Sequence, residues 1–378
     1  MTGPATDPWS ATQRTIRTSM REHVDAAADA AVATVVHVEG SGYRRPGARM
    51  VVDPDGDSHG AVTAGCLEDS VVDAARRTID DGRSRLHTYD LRDDDADIWG
   101  LGLGCNGVVD VLVEPLDTSF TPVLDALDAN RPVTVFTVVA SSDPALAVGD
   151  RHIVGHDTVS TARDPLPDTV VEPVASRLDD ATEDVAVTTD VETAAGTARV
   201  FANRLLPAPE LLVFGGQPDV NPVTSLAART GFRVRVATAR GAWADADRFP
   251  SADDVVSTRP ADLDAVVDVP EHTYAVLMSH NALDDRLALD ALLDTDVPYV
   301  GVLGPRSRFR ELREAMDRSL TAADEARIAA PCGLDLGGDE PTAIGFSIVS
   351  ELLAVHNDRS GGRLVERPGP IHERPEIT

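Results

Sequence analysis

Two cysteines of this chain sit in glycine-rich turns: Cys66 in GAVTAGCLEDS and Cys105 in GLGLGCNGVVDV, out of three cysteines in all. At Cys66 the sequence predicts a short strand, a turn at Gly65 and a helix start in succession. That order directs unused backbone N–H groups toward the side chain. Such a position favours thiolate over thiol and lowers the pKa from its usual ~8.5. Cys105 follows Gly104 in a loop feeding the strand VVDVLVEPL. If the two thiols face one cleft, they form a soft-ligand pair suited to molybdenum, copper or sulfur chemistry. The competing reading of each is packing, a small apolar residue where glycines let two loops approach. The third cysteine, Cys332 in APCGLD, reads as packing. An odd count without CxxC spacing makes neither a disulfide framework nor a zinc ribbon. A zinc or thiol-redox site that adds His59 or His87 is the weaker reading.

Other residues could meet a ligand. GSGYRRPGA sets Arg44 and Arg45 beside glycines, as a phosphate fork or as solvated ion pairs. LRDDDADIWG carries Asp93, Asp94, Asp95 and Asp97, a run that solvation explains better than a metal. VFGGQPDV places Gly215 and Gly216 where a dinucleotide-binding fold has its glycine loop, but Gln217 stands at the second fingerprint glycine and Pro218 follows. Thr238 or Ala239 stands where an acid would bind the ribose, so the pattern argues against NAD(P). MSHNALDD places His280 just after a strand, at the carboxyl edge where parallel sheets bind ligands.

The elements that must position these residues fall into three stretches and a tail. Residues 13–115 begin with the helix TQRTIRTSMREHVDAAADA and the strand AVATVVHVEG. Residues 116–208 mix a helix, strands such as PVTVFTVVA and polar segments that read as loops or an insert. No internal repeat shows in the sequence. Residues 209–356 alternate buried strands (LLVFGG, FRVRVATAR, TYAVLMS, PYVGVLG) with helices, which predicts a parallel, Rossmann-like sheet. Residues 357–378 read as a flexible tail. The fold class is therefore α/β, an N-terminal α/β domain followed by a C-terminal Rossmann-like domain. A hydrophobic share of 42% is enough for packed cores.

The formal charge is −29, from 63 acidic and 34 basic residues, and every basic residue is Arg. Acidic excess on this scale suits a protein kept hydrated in concentrated salt, so a halophilic source is expected. The same charge opposes a nucleic-acid backbone. No apolar run approaches the ~20 residues of a membrane helix, and the first residues lack the apolar core of a signal peptide, so a cytoplasmic location is expected.

Taken in order, GSGYRRPGARMVV, GAVTAGCLE, GLGLGCNGVVDVLVEPL, LLVFGG, GFRVRVATAR, RFPSADDVV, MSHNALDDRLAL, YVGVLGPRSR and RIAAPCGLDLGGDEPTAIGFSIVSE resemble the xanthine dehydrogenase accessory factor family (XdhC/CoxI). The resemblance implies an accessory protein rather than a turnover enzyme. It would bind the molybdenum cofactor (molybdopterin), aid its sulfuration, and insert it into a client molybdenum hydroxylase of the xanthine or carbon monoxide dehydrogenase type. A cysteine desulfurase partner and a homodimer are expected with that role. By motif, Cys66 and Cys105 fall on the family's glycine-flanked cysteines, His280 on its Ser/Thr-His motif, and Arg327 and Glu351 on its C-terminal block. The departure is at the nucleotide loop, which here reads GGQP. A dinucleotide-dependent oxidoreductase is the alternative reading.

Overall fold

The computed structural model describes residues 8–92, 107–155, 159–160, 166–178 and 185–367. Two compact units divide the chain, Met1–Ala208 and Pro209–Thr378.

The first unit holds two antiparallel five-stranded sheets. The first sheet and its helices comprise α1 (Gln13–Ala26), β1 (Ala31–Gly40), β2 (Arg49–Val52), β3 (Ser58–Gly60), α2 (Glu68–Asp81), β4 (Arg85–Asp90) and β5 (Gly107–Pro115), with strand order β3-β2-β1-β5-β4. The second uses α3 (Thr121–Asp128), β6 (Val133–Ser141), β7 (Arg151–Gly155), β8 (Val159–Ser160), α4 (Asp168–Ala175), β9 (Val185–Thr193) and β10 (Gly196–Leu205), in the order β8-β7-β6-β10-β9. Element for element, this is the same frame twice.

The correspondence extends to single residues. Thr34 on β1 stands opposite Arg49 and Leu112, and Thr137 on β6 stands opposite Arg151 and Phe201. Each central strand skips one residue in its ladder, at Val36 and at Val139, a β-bulge that bends the strand. Both turns into the second strand close alike. Val35 N–H reaches Ala48 O at 2.9 Å and Gly47 N–H returns to Val35 O at 2.8 Å; Val138 reaches Asp150 O at 2.8 Å and Gly149 returns to Val138 O at 2.9 Å. Gly47 and Gly149 both have φ of +95°, a region that disfavours any residue with a Cβ. The unit is a tandem repeat that the sequence does not reveal, because the copies agree mainly where the backbone dictates a residue type.

Local chemistry explains the elements. Thr12 caps α1 in a capping box with Thr15, and Ile16, Met20 and Val24 repeat on its buried face. On α2 the inward residues are Val71, Ala74, Ala75 and Thr78, and Gly82 in the left-handed region stops the helix. Side chains such as Val35, Val111 and Val113 are wholly buried, each contributing roughly 1.5–3 kcal/mol over exposure.

The second unit contains a six-stranded parallel sheet in the order β13-β12-β11-β14-β15-β16. Its elements are β11 (Glu210–Phe214), α5 (Val220–Arg229), β12 (Arg233–Thr238), β13 (Asp254–Ser257), β14 (Thr273–Leu277), α6 (Ala282–Leu293), β15 (Tyr299–Val302), α7 (Arg306–Glu314), α8 (Ala322–Arg327), β16 (Ile328–Ala329) and α9 (Pro341–His356). Strand order reverses between β11 and β14, the topological switch point where such sheets hold ligands. No helix among the described residues is long and apolar enough to cross a membrane.

Candidate functional site

In the first sheet, β1, β3 and β4 run one way and β2 and β5 the other. The connections 41–48 and 61–67, and the two ends of 91–106, therefore emerge at the same end of the sheet. These carry Arg44 and Arg45, then Gly65 and Cys66. Cys105 and Gly104, like Asp93–Asp97, lie outside the described residues. The flanks of that segment are well defined. Leu91 N–H bonds Gly107 O at 2.9 Å, and a Cβ on Gly107 would stand 2.4 Å from Glu39 O and 2.7 Å from Ser41 O. Gly107 is thus required for β5 to begin against the 41–48 loop. Arg92 bonds both Asp90 and Glu39 at 2.9 Å, and its hydrogen bond holds the Asp90 carboxyl down at about 2.

The Cys66 turn departs from expectation. Its backbone donors do not converge on the thiol, because the Glu68 carboxylate takes them. Glu68 accepts from Thr63 N at 2.8 Å, Thr63 Oγ1 at 2.6 Å, Gly65 N at 3.0 Å and Leu67 N at 3.1 Å. Cys66 N donates to Thr63 Oγ1 at 3.2 Å. An acid at the helix start is electrostatically favoured there, and here it fills the anion-binding nest of its own loop. Cys66 is 6% exposed and belongs to a core cluster with Val62, Leu67 and Val71. Gly65, by contrast, is exposed with φ of +106°, and the Trp9 ring lies 3.9 Å from where its Cβ would be. Arg44 is half-buried and Arg45 exposed. The Thr63-to-Glu68 spacing was the sequence signal for this carboxylate turn.

Among the described residues, the equivalent end of the second sheet is simpler. Residues 194–195 join β9 to β10 where 91–106 join β4 to β5. Leu166 and Pro167 precede α4 where Cys66 and Leu67 precede α2, and Ala147 matches Arg45 in the turn hydrogen bond to Asp150.

In the second unit, Gly215 and Gly216 end β11 and are buried. A Cβ on Gly215 would meet Met278 O at 2.8 Å, and one on Gly216 would meet the Trp243 ring at 2.5 Å. A side chain at Gly216 would therefore collide with Trp243. Arg240 and Arg248 stand 5.2 and 5.3 Å from that ring, and Arg248 donates to Gly216 O at 2.9 Å. Sequence reading missed Trp243 and Asp219 because their partners are distant in the chain. His280 is exposed, with φ of +59°, and its Nε2 is 2.7 Å from Asp219 Oδ2 across the switch point. Beneath it, buried Asp285 accepts from Ser279 N at 3.2 Å, from Ser279 Oγ, and from Arg308 at 2.6 Å. That network fixes the loop that aims the imidazole.

Arg327 and Glu351 are structural. Arg327 donates to Thr295 O and Leu293 O, each at 2.6 Å; Glu351 accepts from Gly333 N at 2.7 Å and from Tyr299 Oη. Cys332 packs against Gly301, and burial together with the Glu351 charge pushes its thiol up to about 12, the state of an inert packing cysteine. Among the described residues no three potential ligands form a metal group.

Two family models match the chain: the XdhC and CoxI family over residues 23–90, and the XdhC Rossmann domain over residues 211–352. A probable xanthine dehydrogenase subunit of Bacillus subtilis is 28% identical, spanning 86% of this chain and 92% of its own. The molybdenum cofactor insertion chaperone PaoD of Escherichia coli is 22% identical, spanning 86% and 83%. The crystal structure of a xanthine dehydrogenase from Bacillus halodurans superposes with a TM-score of 0.74 and 27% identity, over 93% of this chain and 98% of that one. The motifs, both domain matches and the shared fold place the chain in the XdhC and CoxI family.

Proposed function

We propose that the chain binds the molybdenum cofactor, aids its sulfuration and delivers it to a client molybdenum hydroxylase. The observation that carries this reading is the asymmetry of the repeat: one frame occurs twice, and among the described residues only the first copy mounts arginines, an exposed glycine turn and a cysteine at one sheet end. The family and the chaperone relative support an accessory role with a molybdenum enzyme.

The fit of the cofactor to these residues is uneven. Arg44 and Arg45 supply a fork for its phosphate, and Gly65 lets a planar group approach the backbone. The Thr63, Gly65 and Leu67 amides are not available to it, since Glu68 holds them. Cys66 sits just under the turn, so its sulfur meets a ligand only where that ligand closes on Gly65; Cys105 is the other soft donor in this reading. The bound cofactor supplies a molybdenum centre that takes soft sulfur ligands. The chain's own part is to hold the phosphate, shield the centre from water and place thiols beside it. A cysteine desulfurase would supply the sulfur, and a homodimer and a cytoplasmic location accompany the reading. The dinucleotide reading is the weaker one, because the sequence has Gln217 where the fingerprint needs its second glycine and Trp243 packs against Gly216.

The test is cofactor occupancy beside thermal melting, in molar salt, for Cys66→Ser, Cys105→Ser and Cys332→Ser. Serine is nearly isosteric but a harder ligand. Retention should fall at Cys66 and Cys105 and hold at Cys332. Unchanged occupancy with a lower melting temperature at Cys66 would make it a packing residue.

A further inference from the structure

Where the two copies of the first unit pack together they leave a partly open cavity of about 40 Å³ on their pseudo-two-fold axis. Its polar lining comes as equivalent pairs: Thr34 with Thr137, Arg49 with Arg151, and Glu114 with Asn203. The pairs interlock across the axis. Arg49 donates to Asn203 Oδ1 at 2.8 Å and Arg151 to Glu114 Oε1 at 2.6 Å. A third arginine, Arg17, lines the cavity where the other copy has Phe120, and the Phe120 ring covers the Arg151 guanidinium at 3.9 Å.

Three features of this lining call for an anion. Formal charge is positive, three guanidiniums against the single carboxylate of Glu114, inside a chain of net charge −29. Burial moves even that carboxyl toward its neutral form by raising its pKa. Polar groups of the lining are also left without a protein partner. The Arg151 side chain is 6% exposed and its Nη1 has no hydrogen-bond partner. Thr34 and Thr137 are each 5% exposed, and neither hydroxyl bonds another described residue. Buried polar groups are normally satisfied, by ordered solvent or an ion where protein offers nothing. The space suits one halide-sized ion or about two waters. An anion, being all acceptor, takes the spare Arg151 N–H and both threonine hydroxyl protons at once, beside guanidiniums whose charge water does not balance.

The geometry points to a small monovalent anion site at the junction of the two copies, in which Thr34, Thr137, Arg49 and Arg151 surround one chloride-sized ion and pin the halves together. None of Arg44, Arg45, Gly65 and Cys66 lines it. Its occupancy would give the fold a saturable dependence on chloride, on top of the general screening of acidic surface that any salt provides.

Two measurements on the full chain decide it. Crystals soaked in sodium bromide should show an anomalous peak inside the cavity; water or no density there overturns the proposal. In solution, chloride is exchanged for glutamate, an anion too large to enter, at constant ionic strength. The melting temperature should drop by about 5–10 °C, as expected for losing a ligand held at roughly a hundred times its Kd. In Thr34→Val/Thr137→Val the same exchange should move it by less than half as much. Equal drops in both proteins would place the chloride effect elsewhere on the chain and overturn the site. The bromide experiment uses the unmodified chain, so it stands even if the double variant fails to fold.

Discussion

The two copies in the first unit hold the same frame under different loads. Each has the bulged central strand, the Gly turn at φ of +95°, and the Thr–Arg pair facing the axis. These shared features answer to geometry: a left-handed turn, a close approach, a buried junction. The differences cluster at one end of the sheets. There the first copy carries residues 91–106, a glycine turn and two arginines, while the second closes with residues 194–195. A duplicated frame thus serves as its own control. What both copies share is needed to fold, and what one copy alone carries is free to serve chemistry.

The largest expected effect breaks that difference outright. Replacing residues 91–106 by the two-residue link of 194–195 should leave a folded protein, because β9 and β10 show that the frame closes on so short a turn. Cofactor retention should fall at least about tenfold, the loss of roughly 1.4 kcal/mol or more of binding. Occupancy by metal analysis, beside the far-ultraviolet dichroism spectrum, checks it. Full retention would move the cofactor site away from this end of the sheet.

How much of this was legible in the sequence differs between the units. The second unit reads easily, because runs such as LLVFGG and TYAVLMS alternate with helices and a buried parallel strand tolerates little but apolar residues. The repeat in the first unit does not. Equivalent positions pair Leu112 with Phe201, Glu114 with Asn203 and Arg17 with Phe120, substitutions that an interlocking junction makes in complementary fashion. The Cys66 turn was legible as a turn, but its chemistry was not. Thr63 and Glu68 fill the nest, and only folding back of the helix start shows it. Trp243 against Gly216 is a contact between residues that no local pattern links.

A smaller effect should separate the two shared glycines. Alanine at Gly47 pays for a left-handed backbone, about 1 kcal/mol, with its nearest neighbours at an ordinary 3.6–3.8 Å. Alanine at Gly149 has the same backbone cost and also meets Ser84 Oγ at 2.5 Å and Ser84 Cβ at 2.9 Å. Gly149→Ala should therefore lower stability by about 2–4 kcal/mol, overpacking being added to strain. Denaturant unfolding of the two variants in the same salt measures the gap, and equal losses would mean that Ser84 yields without cost.

The smallest effect is a slope. Glu114 and Asn203 are equivalent, but only Glu114 titrates, and burial raises its carboxyl above the usual 4.5 despite Arg151 and Arg49, which pull it down. A group whose folded pKa is raised binds its proton more tightly in the folded state. Its contribution to stability is complete below the unfolded value and declines as pH rises through the folded one. Glu114→Gln makes this half of the junction resemble the other and removes the titration. The melting temperature of the parent minus that of the variant should fall as pH increases from about 4.5 upward. Taking the difference cancels the titration of the many surface carboxylates common to both proteins. A difference that instead grows with pH would mean that Arg151 and Arg49 outweigh burial, and that the junction favours the ionised carboxylate.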